Sequence, residues 1–192
     1  ARSNLVNLDA MIEREDFAAT GADTSDVGSI TTISVRDFTA GGLIGPALRK
    51  PDFQRETNHW SPEQVVSLLE CFVNNDLIPS VILWKSSSYL FVIDGGHRLS
   101  VLRAWVQDDY GDGHISQKYF GYEISGEQKK TADRTRSLVS QSVGPWKHYE
   151  AAISDSTIDI VERAKVTSVV SRALPIQWVH GNADKAESSF FI

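Results

Sequence analysis

Five consecutive residues, Asp94-Gly95-Gly96-His97-Arg98, join an apolar run to a segment with helical patterning. The backbone N–H groups that open a helix are unpaired and carry the positive end of its dipole, so this turn can receive an anion. Two glycines let the backbone approach a phosphate closely. Arg98 adds a planar cationic fork that can grip phosphate in two places. His97 is a second donor, with a charge that responds to pH near neutrality. Asp94, at the end of the apolar run, could hold a metal ion through water or fix the geometry of Arg98. The same five residues also suit a plain strand-to-helix connection with His97 and Arg98 in solvent, and by themselves they leave both readings open. The spacing is neither GxxxxGK[ST] nor the three-glycine dinucleotide fingerprint.

A second cluster lies upstream. Lys50-Pro51-Asp52-Phe53-Gln54-Arg55-Glu56 precedes His59-Trp60 and a helix start. Pro51 favours an extended approach, from which Gln54 and Arg55 can project toward a ligand. Trp60 sits where a hydrophobic staple would pack on the following helix.

The elements that position these residues follow from periodicity. Ser61, Pro62 and Gln64 form an N-cap, N1 and N3 set, and Val65, Leu68, Leu69 and Phe72 repeat on one face, predicting a helix over 61–76. Val81 to Trp84 and Leu90 to Ile93 predict adjacent strands, paired as a hairpin. A second helix follows Gly96, with Leu99, Leu102 and Val106 on one side. Weaker patterns predict a helix over Leu5–Ile12, a strand over Ile30–Phe38 and a short strand over Tyr119–Ile124. Toward the end they predict a helix over Thr157–Ala173, stopped by Pro175, and a strand over Ile176–Val179. Thr20–Gly28 reads as a linker. The acidic group Asp108, Asp109 and Asp112 lacks EF-hand spacing and reads as a solvated loop. Trp84, Trp105, Trp146 and Trp178 read as core anchors, and His114, His148 and His180 as ordinary surface or core residues.

Composition bounds the function. Net charge is −6, with 19 Lys and Arg against 25 Asp and Glu. A domain that held duplex DNA across its whole surface would be basic, so a DNA partner would meet a local patch or another domain. The single cysteine, Cys71, excludes an internal disulfide and a cysteine-based zinc site. The absence of a long apolar run predicts a soluble, cytoplasmic protein with no membrane partner. The chain starts at Ala1 and stops within an apolar run, which predicts a domain trimmed from a longer protein.

Taken in order, Phe53-Gln54-Arg55, Trp60-Ser61, Gln64, Ile78-Pro79, Val81–Trp84 and Val92-Ile93-Asp94-Gly95-Gly96-His97-Arg98-Leu99 resemble one family. They look like the N-terminal domain of GmrSD-type restriction and phage-defence proteins, within the ParB/sulfiredoxin-like superfamily. Members read FQR, then W(S) and Q, then a strand pair, then DGQQR or DGQHR before an apolar helix. The resemblance spans roughly residues 48 to 106, about a third of the chain.

This resemblance implies an α+β fold, a mixed small sheet with flanking helices, over residues 30–192, preceded by an arm or linker over 1–29. It implies a bound nucleoside triphosphate, with Mg²⁺ as a candidate companion, and hydrolysis that licenses a nuclease carried elsewhere. By position, Asp94 and Arg98 take the catalytic places, and Gln54, Arg55, Gly95, Gly96, His97 and Arg98 the phosphate-binding ones; Asp94 is the candidate metal contact. Gly96 stands where many members have Gln, which leaves open a module that senses a nucleotide or a DNA phosphate without turnover. Sulfiredoxin chemistry does not carry over, because Gly96 occupies the place of its nucleophilic cysteine. ParB-type clamps use a Glu-containing turn and a basic DNA-reading domain, neither of which is present.

Overall fold

Among the described residues, the apolar runs at 81–84 and 90–93 lie at the centre of a six-stranded mixed sheet flanked by seven α-helices. The computed structural model describes residues 5–17, 30–42, 44–54, 57–86, 89–181 and 183–190. In chain order the strands are β1 (Arg14–Glu15), β2 (Thr32–Ser34), β3 (Leu48–Pro51), β4 (Val81–Lys85), β5 (Leu90–Asp94) and β6 (Ala173–Val179). The helices are α1 (Pro62–Val73), α2 (Gly96–Gln107), α3 (His114–Tyr119), α4 (Gly126–Ser142), α5 (Trp146–Ser154), α6 (Ile160–Ser171) and α7 (Ala183–Phe190). Across the sheet the order is β1-β3-β5-β4-β6-β2. β4 runs antiparallel to β5 as the predicted hairpin, whereas β3 with β5 and β4 with β6 are parallel.

Side-chain alternation explains why the central strands read as continuous apolar runs. Val81, Leu83, Leu90 and Val92 enter the main core with α1 and α2. Their neighbours Ile82, Trp84, Phe91 and Ile93 point to a second cluster with Phe17 and with Ala186 of α7. A sheet buried on both faces needs apolar residues at every position.

Helix α1 forms as its caps require: Ser61 Oγ accepts from Gln64 N–H at 3.2 Å and Gln64 Oε1 accepts from Ser61 N–H at 2.8 Å. Val65, Leu69 and Phe72 are buried. Trp84, Trp105 and Trp146 are buried core residues, and Trp178 is partly buried with its indole N–H on the Ile30 carbonyl. Cys71 is partly buried against the same core.

Several weaker predictions are corrected. Residues 5–12 are not helical, because their backbone bonds run sideways: Val6 N–H donates to Trp60 O and Leu8 N–H to Thr57 O, both at 2.9 Å. Val6, Leu8, Ala10, Met11 and Ile12 are nevertheless buried. The 30–38 strand is confined to β2; Asp37 accepts from Ser34 N–H at 2.7 Å and draws Val35–Phe38 into a 3-10 turn. The 119–124 strand is absent, since the chain leaves α3 through Gly121 and Tyr122, both at positive φ. The helix predicted over Thr157–Ala173 does form, as α6, and it buries Val166, Val169 and Val170 while Ile160 is 78% exposed. Pro175 lies within β6, opposite Thr32. Asp109 is buried rather than solvated, accepting from the N–H groups of Gly111, Gly113 and Ser116 and from Ser116 Oγ. Asp108 and Asp112 hold Arg136.

Candidate phosphate-binding site

β5 delivers the chain into α2 through a turn only glycine can make at Gly95. Its φ is +103°, and a Cβ there would lie 2.6 Å from Val81 Cγ1. Gly96 begins α2, and no side chain caps the helix. The first helical bond closes from Leu99 N–H to Gly95 O at 3.0 Å. Leu99, Leu102 and Trp105 bury the far side of α2 and hold its N-terminus in place.

Gln54 and Thr57 lie over this turn. A Cβ on Gly96 would meet Gln54 Oε1 and Thr57 Cγ2 at 3.9 Å, so the two segments touch without crowding. The loop is held from below: Gln54 N–H donates to Pro51 O at 3.0 Å, and Arg14 donates to the carbonyls of Asp52 and Gln54. Trp60 stacks on the His97 ring, with centroids 5.3 Å apart and an interplanar angle of 19°. The His59 ring is 6.0 Å from His97.

Unmet hydrogen-bonding capacity concentrates here. Among the described residues, the buried side-chain atoms without a hydrogen-bond partner are Gln54 Oε1, His97 Nε2 and Ser100 Oγ. His97 and Ser100 are three apart, on one face of α2's first turns, and Gln54 faces Gly96. Buried polar atoms are nearly always paired, so these three call for a partner from outside the protein, water or ligand. Burial holds the His97 imidazole below the ordinary histidine range; the charges of His59 and Lys50 push the same way and Asp9 opposes them.

Arg98 is placed differently from a free phosphate fork. Its guanidinium donates to Pro79 O at 2.6 Å and Ser80 O at 3.3 Å, and to Asp94 Oδ2 at 3.1 Å. It thus ties the start of β4 to the turn. The Asp94 side chain is 61% exposed beside it. Of the predicted residues, the structure brings Gln54, Asp94, Gly95, Gly96, His97 and Arg98 to one end of the sheet; Arg55 lies outside the described residues.

Residues 35–169 match the family described as the GmrSD restriction endonuclease N-terminal domain. That span covers well over half of the chain. The chain belongs to the GmrSD N-terminal domain family. No curated protein and no solved structure matches it. As a GmrSD N-terminal domain it has a role in a restriction, phage-defence protein. No helix of the described residues is long and apolar enough to cross a membrane.

The sequence reading missed what lies beneath this GmrSD turn. Lys50 is fully buried, with Nζ 3.1 Å from Thr57 Oγ1 and 3.4 Å from Asp9 Oδ1. Asp9 Oδ1 also accepts from Thr57 N–H at 2.6 Å. One signal was available: Asp9 is a carboxylate inside the apolar run Leu8-Asp9-Ala10-Met11-Ile12, and such a residue needs a partner.

Proposed function

We propose that this GmrSD domain binds a nucleoside triphosphate, with its phosphates on the N-terminus of α2, and that binding or hydrolysis there controls a nuclease carried elsewhere in the protein. The observation that carries the reading is the uncapped α2 start behind Gly95, adjoining the unpartnered Gln54 Oε1 and His97 Nε2. Helix amides and dipole attract phosphate oxygens. Neutral His97 supplies a ring donor. Gln54 Oε1 accepts only, so it suits a hydroxyl or amino group of the ligand rather than a phosphate oxygen.

Magnesium fits as a companion of the triphosphate. Among the described residues no group of three His, Cys, Asp or Glu could hold a metal. Mg²⁺ commonly keeps its waters, binds substrate phosphates and meets one or two carboxylates. Asp94 would be that carboxylate, and the ion would supply charge neutralisation at the phosphates. Arg98 holds Asp94 and the 79–80 carbonyls in register, which makes its part in hydrolysis positional. The mixed sheet and its strand–glycine–helix turn suit the ParB/sulfiredoxin-like placement, with DNA reached through a local patch or another domain.

A second reading, sensing without turnover, is favoured by one contact set. The Arg98 fork is engaged by Pro79, Ser80 and Asp94, which leaves less cationic capacity for a transferring phosphoryl group. Phosphate release by the parent protein and by Asp94→Asn, alongside binding, separates the two. Turnover lost in Asp94→Asn with binding retained supports hydrolysis; binding with no turnover in the parent supports sensing.

A further inference from the structure

Residues 5–17 precede the family match, yet they are joined to the site segment along its length. Val6 N–H donates to Trp60 O, Leu8 N–H to Thr57 O, and Lys50 N–H to Glu13 O at 2.8 Å. β1 pairs in parallel with β3, Arg14 opposite Lys50. Arg14 holds the carbonyls of Asp52 and Gln54, and Asp9 takes the N–H and hydroxyl of Thr57. The segment carrying Gln54 is therefore gripped on both sides by one stretch of chain.

At the centre is a charge pair in a costly place. Lys50 is 0% exposed, Asp9 8% and Thr57 3%. A buried ion pair contributes little net stability, and apolar residues of equal volume would serve as well. The pair does hold one residue in place: Asp9 Oδ1 accepts from the N–H and hydroxyl of Thr57, and Lys50 Nζ lies 3.1 Å from the same hydroxyl. Thr57 and Gln54 are the residues that face Gly96 at the start of α2.

We propose that Asp9 and Lys50 are positioning residues of the ligand site, their buried pair pinning Thr57 so that Gln54 and His59-Trp60 sit over the first turn of α2. This rests on the phosphate-binding reading above. It makes residues 5–17 a built-in wall of the site. The pair's charges also reach His97, Lys50 disfavouring the imidazolium and Asp9 favouring it. The other groups facing His97 are His59, at 6.0 Å, and the Trp60 ring stacked on it.

The test combines an NMR titration of the His97 imidazole with equilibrium binding of magnesium ATP, GTP and CTP. Parent, Asp9→Ala, Lys50→Met and the Asp9→Asn/Lys50→Met double variant are compared, with Val166→Ala in α6 as a remote destabilised control. Asp9→Ala should move the His97 midpoint down and weaken triphosphate binding about tenfold or more. Lys50→Met should move the midpoint up. Val166→Ala should change neither. Displacements of the same sign, or parent-like affinity in Asp9→Ala, overturn the proposal. If Asp9→Ala does not fold, the double variant decides, since it leaves no unpaired buried charge: weakened binding supports the proposal and parent-like affinity overturns it. If the parent binds no triphosphate, the phosphate-binding reading fails, and the opposed His97 displacements still decide whether the pair acts on the turn.

Discussion

Two adjacent glycines do different work. Gly95 is fixed by backbone conformation and by the Val81 methyl 2.6 Å from any Cβ, so Gly95→Ala should cost about 1–3 kcal/mol in thermal or denaturant unfolding. Gly96 is helical and a Cβ there would meet Gln54 and Thr57 only at ordinary contact distance, 3.9 Å, so Gly96→Ala should leave stability within about 1 kcal/mol of the parent. His97 makes a pH prediction. Its folded-state midpoint is lowered, so its contribution to stability is full above the unfolded value of about 6.5 and is lost as pH falls through the folded one. The melting temperature should therefore fall below about pH 6.5, and His97→Gln should flatten that fall. A melting curve equally pH-dependent in both would contradict this environment for His97. The strand-to-helix turn at Gly95 was legible in the sequence because two glycines after an apolar run mark such a connection. The engagement of Arg98 with the Pro79 and Ser80 carbonyls was not, since nothing in an Arg marks which distant carbonyls it will meet.

At the scale of elements, α1, α2 and the β4–β5 hairpin were readable because each carries its own local signal: a capping box, an apolar helical face, or two apolar runs. Ser61→Ala should cost about 1 kcal/mol by loosening the first turn of α1, next to Trp60, as measured by chemical denaturation. Helix α4 escaped the sequence reading for a physical reason. Its buried face is Thr131, Ala132, Thr135 and Val139, so threonines occupy core positions and blur the apolar period. Its cap was nonetheless present in the residues, with Ser125 Oγ accepting from Gln128 N–H at 3.1 Å. Asp109 was misread as solvated because carboxylates usually are. It organises the α2–α3 connection through four donors, and Asp109→Ala should destabilise the domain by about 3 kcal/mol by orphaning them. A loss below about 1 kcal/mol would mean water replaces the carboxylate freely.

Across the whole molecule, the parts that were hardest to read are those formed by contacts distant in sequence. Residues 5–17 reach the core through backbone bonds to 57–60, and Asp9 meets Lys50 across forty-one positions. Local pattern shows that Asp9 needs a partner but not which distant residue supplies it. The central claim is that the N-terminus of α2 receives the phosphates of a nucleotide, and Gly96→Asp isolates it. A carboxylate there complements the helix dipole and should preserve or raise stability, while repelling phosphate from the same amides. The most direct measurement is calorimetric titration of parent and Gly96→Asp with ATP, GTP and CTP, with and without Mg²⁺, beside their melting temperatures. Saturable binding by the parent, lost in a Gly96→Asp protein that melts no lower, is the predicted result. No binding of any triphosphate by the parent, or undiminished binding by Gly96→Asp, would contradict the account.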